Sequence, residues 1–355
     1  MTPALLLLCF GTADPVANPD EVALEEITAE SVVDVNSEAS GATATTAEVA
    51  KEATTEPKSP YRDSKVELGL STRALGLNKA DELMYNPSTI MALRLKPHWW
   101  VSDNMYVSGR FDTFAELTDA DWMTGTFYGS DISLSGGYNS IYVIPVVDVE
   151  LSASATLTIP TSTFSRAETL LLGTGVEVAA SRSFPVLGGL QIGYSFEFSK
   201  AWHEYTTTAG GARLEGPCAL GVNADRCGFE VGSGERNVSW TVNNTLNASI
   251  TINDWISGVV AGGLGVGQLY GAEESDPRES NSVSDPTHAR YHALTMAKVT
   301  FFSSNIISGS LGLVSFHTQQ MPDSSLRSPF LNRFTRITAD LIVDLDDALH
   351  LEILQ

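Results

Sequence analysis

The sequence predicts an all-β protein, a transmembrane antiparallel up-and-down β-barrel of about 12 strands. Residues 237–252, NVSWTVNNTLNASITI, alternate between apolar and polar side chains over sixteen positions. Strands of soluble sheets usually have about five or six residues, whereas a tilted strand that crosses a bilayer needs roughly nine to eleven. No run of eighteen apolar residues occurs in the 355-residue chain, which excludes a helical membrane protein.

The first residues have the features of an export signal. MTPALLLLCF contains a short apolar run, and Gly11-Thr12-Ala13 supplies the small residues that a signal peptidase prefers. We therefore predict a signal peptide over residues 1–13. Cys9 raises the alternative of a lipid anchor, but Leu8 occupies the preceding position, where lipoprotein signals carry a small residue.

Residues 14–60 have a different composition from the rest of the chain. They contain eleven acidic residues, two lysines and no aromatic residue. Such a segment cannot bury enough apolar surface to offset the entropy lost on ordering. We predict a disordered acidic periplasmic segment before a barrel that occupies residues 61–355.

Twelve alternating segments follow Tyr61, and an even number of strands suits a closed bacterial barrel. The fifth segment shows the pattern clearly, with Val149, Leu151 and Ala153 opposite Glu150, Ser152 and Ser154. The predicted spans are 65–77, 88–98, 102–117, 130–144, 147–159, 168–182, 188–202, 237–252, 255–270, 289–302, 305–318 and 334–346.

The connections between these segments alternate in length. Those after the odd-numbered strands are long, the longest being 203–236, whereas those after the even-numbered strands are short. Asn253-Asp254 has the composition of a two-residue hairpin turn. Outer-membrane barrels have short periplasmic turns and long outer loops, so this order supports a membrane barrel in the cell outer membrane.

Two stretches carry a resemblance to a known family. Residues 130–162 contain a strand, a short turn and a strand that ends in Ile159-Pro160-Thr161-Ser162, and residues 323–335 contain a Pro-Phe-Leu-Asn-Arg core. The chain resembles Gram-negative outer-membrane transporter barrels related to the phenol-degradation-pathway group, of the type found in delta-proteobacteria. The resemblance implies a transport barrel, although Ser162 replaces the glycine usual in the first motif.

The sequence offers little support for an enzyme. Outer-membrane phospholipases and proteases need a histidine beside a serine or a carboxylate. Asp276, Asp285 and His288 share one acidic outer loop. This set could belong to a protease or a cation site, but a solvated loop that faces lipopolysaccharide and its counterions is the simpler interpretation. We therefore expect no enzymatic activity, no metal and no cofactor.

The longest outer loop contains two cysteines, Cys218 and Cys227. An oxidising compartment favours a disulfide between them over a zinc site, because no matching histidine or cysteine set lies nearby.

The register of the strands places charged residues on the face opposite the apolar one, inside the barrel. The candidates for lining the lumen are Arg73, Arg94, Lys96, Arg110, Asp112, Glu116, Asp148, Glu150, Glu177, Glu197, Arg290, His292, Lys298, Arg336 and Asp340. Basic residues come mostly from the first three, tenth and twelfth strands, and acids dominate the fifth to seventh. Two interpretations stay open: opposite walls of opposite charge around a channel, or charges that pair across the lumen and close it.

Two functions are compatible with these features. The first is a channel or transporter for passive passage of small solutes, and the alternative is a non-conducting structural or adhesive barrel that displays acidic loops. The expected partners are outer-membrane lipid, lipopolysaccharide, the barrel assembly machinery and a small-molecule solute, with no nucleic acid.

Overall fold

The computed structural model describes residues 59–74, 88–118, 127–209, 232–271, 289–302, 306–318, 328–330, 332 and 334–346. The signal peptide, nearly all of the acidic segment, the acidic loop and the Cys218–Cys227 disulfide predicted from the sequence lie outside these residues. The strands are β1 (Lys65–Arg73), β2 (Thr89–Lys96), β3 (His98–Trp100), β4 (Met105–Glu116), β5 (Phe127–Gly129), β6 (Ile132–Ile144), β7 (Val149–Ile159), β8 (Leu170–Phe184), β9 (Leu190–His203), β10 (Thr207–Ala209), β11 (Gly232–Arg236), β12 (Val238–Asn253), β13 (Ile256–Leu269), β14 (Ala289–Phe302), β15 (Ile307–Thr318) and β16 (Arg336–Asp344).

The strands form a closed antiparallel barrel with twelve strands around its wall. The barrel closes where β1 pairs with β16, with Leu68 opposite Leu341. β3 continues β2 beyond Pro97, and β5 and β6 act as one wall strand. β10 and β11 form a separate two-stranded sheet in the longest connection, where no strand was predicted. The predicted fold class is confirmed.

The outward face of the barrel is a continuous apolar belt. Leu246 is 60% exposed and Leu264 is 59% exposed, although both lie in the middle of long strands. Every wall strand contributes exposed apolar residues of this kind, among them Leu68, Leu93, Val107, Leu134, Leu157, Val176, Phe196, Leu246, Leu264, Val299, Leu311 and Leu341. A soluble protein does not expose such a surface. The belt therefore faces lipid, and the predicted outer-membrane location is confirmed.

A single short helix, α1 (Thr163–Ala167), is seen complete in the described part of the chain. No described helix has both the length and the apolar composition needed to cross a membrane.

Some strand boundaries differ from the predicted ones for local reasons. The fourth predicted strand, 130–144, is interrupted at Ser130 and Asp131. Asp131 accepts hydrogen bonds from the Ser162 backbone N–H (2.8 Å) and from the Ser165 hydroxyl, both at the start of α1. The fifth strand begins at Val149, because Asp148 has a positive φ of 51° and lies in the preceding turn.

The hairpin between β12 and β13 lies one residue later than the predicted Asn253-Asp254 turn. β12 includes Asn253, and the Asn253 Oδ1 atom accepts hydrogen bonds from the backbone N–H groups of Trp255 (3.1 Å) and Ile256 (2.9 Å). The side chain thus closes the turn from its first position, as asparagine commonly does.

The described residues after β15, 328–330, 332, 334 and 335, lie over the outward face of β14 and β15, and we call them the strap. Ser315 points outward from β15, yet it is only 1% exposed, because Asn332 Nδ2 donates a hydrogen bond to its Oγ atom (2.8 Å). The ring of Phe334 stacks on His317, with ring centroids 6.4 Å apart. The strap thus satisfies polar groups that would otherwise face outward from the wall.

Replacing Asn332 with alanine should destabilise the barrel. Asn332 also donates to the Ser328 carbonyl and accepts from the Phe334 N–H, each at 2.8 Å. Loss of these bonds leaves the buried Ser315 hydroxyl without its Asn332 donor, so we expect the free energy of unfolding to fall by about 1 to 3 kcal/mol. Denaturant titration of the refolded protein measures this free energy of unfolding, with Ser308→Ala on β15 as the control. An unchanged unfolding midpoint for Asn332→Ala would contradict the strap's role.

Candidate functional site

The interior of the barrel has two different walls. Alternation along each strand places one set of side chains inside and the apolar belt outside. We call the inward faces of β14, β15, β16, β1, β2 and β4 the charged wall. The inward faces of β7, β8, β9 and β12 form the short-side-chain wall, so named because serine, threonine and glycine predominate there.

Five side chains of the charged wall form an ion-pair network across neighbouring strands. Lys96 Nζ lies 3.2 Å from Glu67 Oε1, and Arg94 Nη1 lies 3.8 Å from Glu67 Oε2. Arg94 Nη1 is also 3.4 Å from Asp340 Oδ1, and Lys298 Nζ is 2.9 Å from Asp340 Oδ2. The network therefore links β14, β16, β1 and β2 along one side of the interior.

Gly69 allows this network to form. Gly69 lies on β1, between Ala92 of β2 and Asp340 of β16. A Cβ atom at this position would lie 2.9 Å from Asp340 Oδ1 and 3.0 Å from Arg94 Nη1. With no side chain on the intervening strand, Arg94 can reach Asp340 across β1.

The other predicted residues of the charged wall have nearby partners. Arg110 Nε donates to both carboxylate oxygens of Asp112, at 3.2 and 3.0 Å. Glu116 is buried and accepts a hydrogen bond from Thr118 Oγ1 (3.0 Å). Arg336 donates to the hydroxyls of Ser71 (3.3 Å) and Ser88 (3.1 Å), and Arg73 is its register partner on β1.

The charged wall also carries apolar side chains that were not predicted to lie in the interior. One buried cluster contains Leu294, Met296, Val314 and Phe316 of this wall together with Ala261 of the neighbouring strand β13. Leu294 and Met296 lie between His292 and Lys298 at alternate positions of β14, so the inward charges already indicated their direction. The lumen candidates drawn from the sequence contained charged residues and His292 but no apolar residue.

A second apolar cluster joins the wall to helix α1. Ile90, Ala92 and Phe114 are buried together, and Tyr128 and Phe164 pack against them. The Phe164 ring centroid lies 5.7 Å from that of Tyr128 and 6.4 Å from that of Phe114. The connection between β7 and β8 therefore turns inward against the barrel wall.

The short-side-chain wall leaves its surface accessible from the interior. Gly193, Ser195 and Thr245 of this wall are buried. Further short inward residues of the wall are half-exposed, namely Ser152, Ser154, Thr156, Thr158, Gly173, Gly175, Ser181, Ser199, Thr241, Ser249 and Thr251. Many inward residues of the charged wall are buried instead, including Glu67, Asp112, Phe114 and Met296.

Three longer polar side chains of the short-side-chain wall lie in one row across the strands. Glu177 of β8 is opposite Glu197 of β9, and Glu197 is opposite Asn243 of β12. Asn243 is opposite Gly265, which is in turn opposite His292 on β14. The row therefore runs from the short-side-chain wall to the edge of the charged wall.

Hydrogen bonds join three members of this row. Asn243 Nδ2 donates to Glu197 Oε2 (2.9 Å), and His292 Nε2 lies 2.8 Å from Asn243 Oδ1. A carboxylate only accepts, so the Asn243 amide nitrogen must face Glu197, and the amide oxygen must accept a hydrogen bond from the His292 Nε2–H group. A Cβ atom at Gly265 would overlap both Asn243 and His292, so this glycine allows the bond to cross β13.

The sequence left open two arrangements, opposite walls of opposite charge or charges that pair across the lumen. The described ion pairs of the charged wall instead join residues on one side of the interior. Arg94, Lys96 and Lys298 form ion pairs with Glu67 and Asp340, which lie one or two strands away in the sheet. Asp148 lies in a turn outside β7 and is exposed, so it does not occupy the lumen-facing strand position predicted for it. Glu150 and Arg290 lie near the ends of β7 and β14, and Glu150 is exposed.

The described residues contain no group of three or more histidine, cysteine, aspartate or glutamate side chains suited to hold a metal ion.

Comparison with known proteins gives similarity in structure only. No protein-family profile matches the chain, and no curated protein matches its sequence. An outer-membrane channel from Pseudomonas putida F1 is 12% identical over 81% of this chain and 99% of that chain, with a TM-score of 0.48. The NanC porin is 10% identical over 79% of this chain and 98% of that chain, with a TM-score of 0.42. The family indicated by the two sequence motifs stays a prediction.

Proposed function

We propose that this protein is an outer-membrane channel for the passive passage of small hydrophilic solutes. The observation that carries the proposal is the short-side-chain wall. A barrel of about eight strands is just wide enough for side chains to fill its interior, and the interior widens as strands are added. This barrel has twelve strands around its wall, and four of them present mainly serine, threonine and glycine to the interior.

The proposed path runs along the short-side-chain wall. Hydroxyl groups of residues such as Ser154, Thr156 and Thr241 replace part of the hydration shell of a passing solute, and their half-exposure supports access by water. The ion-pair network lines the opposite side of the interior. Its charged groups pair with one another there instead of pointing towards the path. No cofactor or energy source enters this mechanism, and passage follows the concentration gradient.

Narrowing this path should reduce conductance. A Cβ atom at Gly175 would make only ordinary contacts, the nearest at 3.8 Å, so a larger side chain can extend into the interior. We expect Gly175→Trp to lower single-channel conductance in planar bilayers by about half or more, because flow through a narrow pore depends on its open cross-section.

Val176 provides the matched control for this experiment. It is the next residue on β8, and it is 53% exposed on the outward face. Val176→Trp adds the same side chain on the lipid side and should leave the conductance unchanged. Folded wild-type protein that carries no current at any salt concentration would overturn the channel and favour the non-conducting structural barrel.

A further inference from the structure

We infer that Glu197 gives this channel a preference for cations, and that Asn243 and His292 hold its carboxylate in position. The inference rests on the proposed function, since selectivity requires a conducting path. It identifies a specificity-determining residue and the chemical class of solute, small cations, that the path favours.

Glu197 differs from the acids of the charged wall in its partners. Glu67 and Asp340 lie within 2.9 to 3.8 Å of cationic nitrogens, so each negative charge is compensated where it stands. The hydrogen-bond partner of Glu197 among the described residues is the neutral amide of Asn243. Among the described residues, its negative charge is therefore not compensated by an ion pair of the kind seen in the ion-pair network.

The position of Glu197 allows its charge to act on a passing ion. It lies on the short-side-chain wall, between Ser195 and Ser199 at the neighbouring inward positions of β9, and it is half-exposed. Short neighbours leave the carboxylate accessible along the proposed path. A charge in a narrow conduit with walls of low dielectric constant raises the local concentration of counter-ions.

The hydrogen-bond chain fixes the direction of the carboxylate. His292 packs on Phe316, with ring centroids 4.9 Å apart. His292 Nε2 donates a hydrogen bond to Asn243 Oδ1, and Asn243 Nδ2 donates one to Glu197 Oε2. Since Gly265 on β13 has no side chain, His292 on β14 and Asn243 on β12 can meet across that strand. Asn243 and His292 are thus positioning residues that act through Glu197.

The test measures the potassium-to-chloride permeability ratio from reversal potentials across a planar bilayer with a salt gradient. Wild-type protein should favour potassium. Glu197→Gln removes one unit charge, which for an ion about 6 Å away in water favours potassium and disfavours chloride by about threefold each. The ratio should therefore fall about tenfold. Asp254→Asn removes the same charge from an exposed turn and should leave the ratio unchanged.

A double-mutant cycle tests the positioning role. Asn243→Ala keeps the carboxylate but releases it, so the ratio should fall by less than in Glu197→Gln. Adding Asn243→Ala to Glu197→Gln should cause no further change, because the amide acts only through the carboxylate. A purely structural role for Asn243 would change the ratio equally in both backgrounds and would overturn the positioning claim.

The outcomes separate this inference from the proposed function. A wild-type protein that conducts but does not favour cations, or a conducting Glu197→Gln variant with the wild-type ratio, overturns the role of Glu197 and leaves the channel intact. If Glu197→Gln does not fold, Asn243→Ala decides, and an unchanged ratio in that variant overturns the inference. Absence of current from folded wild-type protein overturns the channel itself.

Discussion

Replacing Leu246 with arginine is expected to lower the free energy of unfolding by about 2 to 4 kcal/mol, the cost of a cationic side chain on the lipid face near the bilayer midplane. Leu246 lies near the centre of the sixteen-residue strand β12 and is 60% exposed on the belt. The guanidinium group introduced there would have to leave water for hydrocarbon, or distort the bilayer to reach water.

The control for this prediction is the next residue of the same strand. Asn247 points into the barrel and is half-exposed, so Asn247→Arg places the same charge where water is available. We expect its effect to be below about 1 kcal/mol. Both values come from denaturant titration of protein refolded into lipid vesicles. Equal losses for the two variants would contradict the assignment of the two faces.

Replacing Asp340 with alanine is expected to lower the free energy of unfolding by about 3 kcal/mol, within the range for breaking one partner of a buried ion pair. The Asp340 side chain is only 7% exposed. It interacts with Arg94 and Lys298 and accepts a hydrogen bond from Ser310 Oγ at 2.9 Å. Its loss removes one acidic partner from Arg94 and the acidic partner described for Lys298.

A compensating change tests the cause of this effect. Lys298→Met removes one of the two cations that Asp340 leaves behind. If the destabilisation comes from uncompensated charge, Asp340→Ala with Lys298→Met should be more stable than Asp340→Ala alone, by about 1 kcal/mol or more. The same denaturant titration measures this difference. Simple additivity of the two losses would indicate that packing, not charge, dominates at this position.

Much of the fold could be predicted because it depends on local patterns. A strand in a membrane barrel alternates with a period of two, and each side chain must match either lipid or the interior. The tenth strand was predicted at its observed bounds, residues 289–302. Two predicted boundaries are wrong where a side chain accepts a hydrogen bond from a backbone N–H group. Asp131 accepts from Ser162, far away in the sequence, and Asn253 accepts from Ile256, within its own turn.

The alternation also predicts which residues of the candidate site share the face opposite the apolar belt, among them Glu197, Lys298 and Asp340. It did not indicate their partners. The expectation that basic residues face acids of the opposite wall assumed contacts across the lumen, whereas side chains in a sheet first meet neighbours on adjacent strands. Arg94 and Lys96 accordingly find Glu67 on the next strand.

The sequence by itself determined the alternation, the number of wall strands and the inward face of each strand, because these follow from residues close together in the chain. Only the tertiary structure decided which residues meet across an intervening strand. Arg94 reaches Asp340 across Gly69, and His292 reaches Asn243 across Gly265. Both contacts depend on the register of three strands at once, and that register is fixed by pairing between residues far apart in the sequence.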